Sequence, residues 1–114
     1  MESKKRAQLL IYQAISAGEN VAFHGATNGL NSLLYVLGLS GNDTFQIFDS
    51  DDTKSGLYLP AISNPVRHSS DPSYRSIKKV FVAATSFFEP IRELLLNNVG
   101  LEDSAIIPLF PLEP

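Results

Sequence analysis

The chain has 114 residues, 44% of them hydrophobic, which is material for one core and one domain (residues 1–114) rather than a catalytic domain beside a substrate domain. A net charge of −3 and a pI near 5.2 give no electrostatic footprint for nucleic acid or an anionic membrane surface. Without cysteine there are neither disulfides nor thiolate metal sites.

The opening "MESKKRAQLLIYQAI" is basic and then apolar, but Gln8, Gln13 and Ser16 interrupt the run. No small-residue cleavage site follows it, and no stretch approaches the roughly 18–20 apolar residues that span a bilayer. The expectation is a cytoplasmic, soluble protein. From Lys4 to Ala17, Leu9, Leu10, Tyr12, Gln13 and the Ile15–Ala17 run fall at helical spacing, and Gly18 supplies a stop. Residues 1–19 are therefore expected to form an N-terminal helix packed on the rest of the domain.

Val21 to Phe23 is short, apolar and ends near Gly25, which suits a buried parallel strand. Asn28 or Asn31 is the expected cap of the next helix, which carries Leu30, Leu33, Leu34 and Leu37 on one face and stops at Gly38. A second strand is expected over Thr44 to Phe48, closed by Asp49. "DSDDTKSG" reads as a polar turn, and Pro60 and Pro65 forbid a helix in the segment after it. A short third strand is expected at Val66, a loop or helical turn over "DPSYRSI", and a fourth strand over Lys78 to Ala84. "SFFEPIRELLLNNVG" reads as a helix with Pro90 in its first turn and Gly100 near its end, and "SAIIPLF" as a fifth strand. Strands alternating with helices require crossovers, so the expected fold is a small three-layer, Rossmann-like α/β domain with a mainly parallel sheet of about five strands.

The first strand, glycine turn and helix have the form of a nucleotide-binding unit, in which backbone N–H groups meet a phosphate at the positive end of the helix. Asp49 lies at the end of the second strand, where an acid would meet a ribose hydroxyl. The glycines Gly25 and Gly29 do not complete G-x-G-x-x-G, so a tight turn at Gly25 and a loop cap at Asp49 explain the same residues without a ligand. His24 sits at the strand end, either as a ligand contact or as a satisfied polar residue; His68 falls in a polar loop and is expected to be solvated. Two histidines without cysteine, and without an obvious His/Asp/Glu spacing, make a poor case for metal. Asp49, Asp51 and Asp52 read better as a solvated turn than as a cation site. Glu89 and Glu93, with Arg92 beside them, read as an exposed helix face. No G-x-S-x-G, Walker A or Ser/His/Asp set is present, and no catalytic residue is assigned.

"GATNGLNSLL" and "FDSDDTKSGLYLPAISNPV" resemble, in order and spacing, the C-terminal domain of the S-adenosylmethionine-dependent sugar C-methyltransferases. The matching positions are Gly25, Ala26, Asn31, Leu33, Leu34, Asp49, Lys54, Gly56, Tyr58, Leu59, Pro60 and Pro65, with Ser32 in place of threonine. "VFVAATSFFEPIRELL" and "SAIIPLF" are similar to the last strand–helix–strand of that family. Further departures are Gly29 for the basic residue of the turn, Leu30 for the glycine after it, and Ala61 for a glycine. The resemblance implies a Rossmann-like partner of a methyltransferase domain that helps form a nucleotide-sugar site. In that family the cofactor-binding domain and the cysteine-rich zinc domain lie N-terminal to this one, and neither is in this sequence. The implied ligand contacts are Gly25, Ala26, Thr27, Asn28, Asp49, Lys54 and Tyr58, with no resident cofactor or metal. The expected partners are a nucleotide-sugar or nucleotide, a methyltransferase subunit and a second copy of the chain, with no nucleic acid and no membrane. The competing expectation is an interaction module that kept the fold and lost the ligand. A stand-alone oxidoreductase would need NAD(P) binding despite the broken fingerprint.

Overall fold

The computed structural model describes residues 3–39, 45–60, 63–83 and 87–109. Five strands form one parallel sheet in the order β3-β2-β1-β4-β5. These are β1 (Val21–His24), β2 (Phe45–Asp49), β3 (Val66–His68), β4 (Lys79–Val82) and β5 (Ile106–Pro108). Three helices accompany them: α1 (Ser3–Ser16), α2 (Asn28–Val36) and α3 (Phe88–Leu94). The strands fall where the short apolar runs predict them, and the sheet is wholly parallel. Thr44, Ala61, Ala84 and Phe110, which the sequence reading touched, lie outside the described residues.

Because side chains alternate along a strand, β1 supplies both faces of the sheet. Val21 and Phe23 face one layer with Ile47, Phe81, Leu30, Leu34 and Ile11. Ala22 faces the other with Phe48, Tyr74, Val80, Val82, Ile91 and Leu95. The first layer is closed by α1 and α2, the second by α3 and a 3-10 segment at Pro72–Ser76. Phe23 is fully buried between the edge of Phe45 (5.2 Å between centroids) and the tilted ring of Phe81 (5.7 Å). Leu30, Leu33, Leu34 and Leu37 are all buried as their spacing requires, each worth roughly 1.5–3 kcal/mol of transfer energy.

Three local readings are corrected. The cap of α2 is Thr27, not Asn28 or Asn31: its hydroxyl accepts from the Leu30 N–H at 3.1 Å. Threonine and asparagine can both cap, and the turn at Gly25 decides which residue reaches the right place. In α1 the buried stripe is Ile11 and Ala14, with Leu10 and Ile15 partly buried, while Leu9 and Tyr12 stay about half exposed. Tyr12 instead donates its hydroxyl to the Leu37 carbonyl at 2.7 Å, tying α1 to the end of α2. His68 is not a solvated loop residue. It ends β3 half-buried, with Nε2 2.9 Å from an Asp52 carboxylate oxygen and Nδ1 accepting from the Ser70 N–H.

Pro90 lies in the first turn of α3 as expected, and a π-helical turn (Leu95–Val99) carries the chain on to Gly100. On the far edge, Gly56 donates to the Val66 carbonyl with φ +85°, and Tyr58 forms an isolated antiparallel bridge with Pro65. That left-handed φ suits glycine and folds the loop after β2 back along β3.

Candidate functional site

In a sheet of this order, β1 and β4 are neighbours whose connections leave in opposite directions. A crevice then opens beyond the carboxyl ends of the strands. Gly25, with φ +109°, turns the chain out of β1 there, and its N–H donates to the Phe48 carbonyl at 2.8 Å. The crevice holds a cleft of about 280 Å³ lined by His24, Gly25, Asp49 and Ser50 on the strand side. Phe87, Pro90, Ile91 and Leu94 of the α3 segment form the opposite wall. It has a polar floor and an apolar wall.

The glycine turn is occupied by its own chain. Asp49 Oδ2 accepts the Ala26 N–H at 2.8 Å, and Oδ1 accepts the Asp51 N–H at 2.9 Å. The Lys54 ammonium lies 3.6 Å from Asp49 Oδ2 and donates to the Ala26 carbonyl at 3.2 Å. Thr27 donates its N–H to the Gly25 carbonyl at 2.9 Å. A carboxylate therefore sits where the turn would otherwise meet an external anion, and a lysine from the following loop neutralises it. This gives the missing basic residue of the turn a structural counterpart: the anion held there is internal to the fold.

His24 is 1% exposed and stacks 5.9 Å from Tyr74. Its Nδ1 is 2.7 Å from the Tyr74 hydroxyl and its Nε2 3.4 Å from Ser50 Oγ, which donates to Ser69 Oγ at 3.2 Å. Burial pulls the His24 pKa from 6.5 down to about 4, with Asp49 raising it and His68 lowering it to smaller extents. The ring is therefore neutral at pH 7. Burial likewise pushes the Tyr74 phenol far above its ordinary value, so its proton stays on. Tyr74 is held flat against Phe48, with ring centroids 3.8 Å apart.

The residues singled out in the sequence are only partly brought together. Gly25 and Asp49 line the cleft; Ala26 and Lys54 hold Asp49; Thr27 caps α2; Asn28 is exposed in its first turn. Tyr58 is 61% exposed beside β3 and is not among the cleft-lining residues. Ser50, Phe87, Pro90, Ile91 and Leu94 were missed. The one signal open to sequence was Phe87, a second large aromatic beside Phe88, left exposed just ahead of the helix while Phe88 is buried. Asp51 bonds Thr53, and Arg92 pairs with Glu89 (3.7 Å) and Asp103 (2.6 Å), so these acids belong to a turn and an exposed helix face. Among the described residues no group of three or more His, Asp or Glu is placed to hold a metal, and no helix is long and apolar enough to cross a membrane.

The family model described as C-methyltransferase C-terminal domain matches residues 1–108. No curated protein and no solved structure matches the chain. The match runs from α1 through β5, taking in the glycine turn, the Asp49–Lys54 pair and both walls of the cleft. The chain belongs to the C-methyltransferase C-terminal domain family.

Proposed function

We propose that this domain is a non-catalytic module that binds a nucleotide-sugar or similar anionic ligand in the cleft beyond β1 and β2, or assists a methyltransferase partner. The observation that carries the reading is the cleft itself. It lies at the crevice where open parallel sheets take their ligands, with an apolar wall for a ring and polar groups on the floor to orient it. Methyl transfer needs a pocket that holds the cofactor's sulfonium against the acceptor carbon and a base for that carbon's proton. The glycine turn of this chain is closed by Asp49, and the one histidine of the cleft is engaged with Tyr74. The isolated chain is therefore expected to transfer no methyl group from S-adenosylmethionine to a sugar nucleotide.

A thermal-shift and calorimetric series with nucleotides and nucleotide-sugars tests the reading. A ligand present at 100 times its dissociation constant stabilises by about 2.7 kcal/mol, several degrees for a domain of this size. A second reading, an interaction module, has its own observation: Leu9, Tyr12, Tyr35 and Val36 are exposed on the α1–α2 layer. No shift with any ligand, together with a stable dimer or a captured methyltransferase subunit, would favour it.

A further inference from the structure

We infer that His24 is the recognition donor of the cleft, offering its Nε2–H to an uncharged oxygen of the ligand, and that Tyr74 is the positioning residue that fixes this tautomer. The inference rests on reading the cleft as a ligand site, and it narrows what enters it.

The protons decide the direction. A buried phenol keeps its O–H and must donate it. Among the hydrogen bonds of the described residues, the partner of the Tyr74 hydroxyl is His24 Nδ1, at 2.7 Å. Nδ1 is then the acceptor, and a neutral imidazole with Nδ1 bare carries its hydrogen on Nε2. An Nε2 that carries the hydrogen can only donate, so Ser50 Oγ accepts from it and is free to turn its own proton toward Ser69 Oγ, 3.2 Å away. The chain of bonds therefore has one direction: Tyr74 O–H to His24 Nδ1, His24 Nε2–H to Ser50 Oγ, and Ser50 O–H to Ser69 Oγ. The contact between Nε2 and Ser50 is 3.4 Å, beyond the usual range for an N–H donor, so the Nε2–H is weakly held and available to a better acceptor. His24 and Ser50 both line the cleft.

The same geometry argues against a phosphate in this position. His24 is uncharged, Asp49 contributes a carboxylate to the floor, and the Lys54 ammonium is engaged with Asp49 and the Ala26 carbonyl. An anion would face a like charge whose lysine partner is already committed. A ring carbonyl or a sugar hydroxyl meets a donor and an apolar wall. The neutral end of a nucleotide-sugar therefore enters the cleft, and its phosphates stay outside.

Long-range proton–nitrogen NMR of the two histidine rings tests this without any ligand, the His68→Gln variant assigning the signals. The expected result is an Nε2–H tautomer for His24 that becomes a tautomer mixture in Tyr74→Phe; an Nδ1–H tautomer in the wild type overturns the inference. Titration then uses UDP-glucose, with uridine to supply carbonyls alone, methyl glucoside to supply hydroxyls alone, and pyrophosphate to supply the anion alone. UDP-glucose and one of the two neutral probes should move the His24 Nε2–H signal. Affinity for UDP-glucose should fall roughly five- to tenfold in His24→Leu and stay within about twofold in His24→Gln, whose amide donates from a similar place. If UDP-glucose moves Gly25, Ser50 or Leu94 signals but not His24, or if pyrophosphate alone reproduces the shift, the inference fails and the cleft stands as a ligand site. If no probe moves any signal, the cleft is not such a site and both fall.

Discussion

The two faces of β1 are one residue apart and do opposite things. Val21 and Phe23 point into a layer closed by α1 and α2, where the neighbours are Ile47, Phe81, Leu30 and Leu34. Ala22 and His24 point toward α3, where the packing gives way at the strand ends to a polar relay and a cleft. The first face is packed to its end; the second is packed over Ala22 and then opens, at His24, into the cleft proposed to take a ligand. Substitutions should therefore cost stability wherever the layers are packed or His24 must stay neutral, and recognition only at the cleft end of the second face.

The largest effect should come from the dry face. Phe23→Ala removes a ring packed between Phe45 and Phe81 and should cost about 3–5 kcal/mol in urea unfolding, a large part of the stability of a domain this size. If Phe23→Ala unfolds with a loss under about 1 kcal/mol, the ring is not wedged in a close-packed layer and the contrast between faces collapses.

Next comes the charge state of His24. Its folded pKa, about 4, lies below the unfolded value of 6.5, so the unfolded chain takes up the proton first as the pH falls. Stability is fully present above pH 6.5 and declines between there and about pH 4, by roughly 2–3 kcal/mol at pH 4.5. Urea melts at pH 7.5 and 4.5 read this, with His24→Gln as the control in which that part of the slope disappears. An identical slope in the control would assign the acid sensitivity to the carboxylates.

A smaller effect tests the turn between the faces. Thr27→Ala should cost about 1 kcal/mol through loss of the α2 cap, whereas Asn28→Ala, at an exposed position, should stay within about 0.5 kcal/mol. Equal effects would mean that the cap is shared. The smallest concerns Lys54, whose side chain is 37% exposed. Lys54→Ala should lower stability by less than about 1 kcal/mol and leave UDP-glucose affinity within about twofold, because the lysine serves Asp49 rather than the ligand. A loss of affinity matching His24→Leu would put a phosphate beside Lys54 and reverse the assignment of the cleft's contents.

The dry face was legible in the sequence because its signal is local. Four leucines at helical spacing bury one face of α2, and short apolar runs separated by helices leave little choice but a parallel sheet. The stripe of α1 was misjudged because Leu9 and Tyr12 are as apolar as Ile11 and Ala14, and only the position of the sheet selects between them. The site was half legible. Gly25 and Asp49 announce themselves by their places after strands, but the carboxylate closes the turn rather than waiting for a ribose. The His24–Tyr74 pair spans 50 residues, and no short-range pattern links a strand end to a 3-10 segment. The wall of the cleft was hidden for a simpler reason: Ile91 and Leu94 look the same in sequence whether they meet a core or a cavity.

The outer strands have a consequence of their own. An open parallel sheet exposes two unpaired backbone ladders, each a template on which another chain can grow. Here both outer strands are three residues long. β5 ends at Pro108, which has no N–H to offer, and β3 follows Pro65, already bridged to Tyr58 by the loop that folds back along it. A newcomer at either margin gains too few bonds to repay the order it must accept. The domain is thereby guarded against fibrous stacking at the two places where its architecture would invite it, by prolines and brevity at both and by the exposed Arg67 of β3 at one.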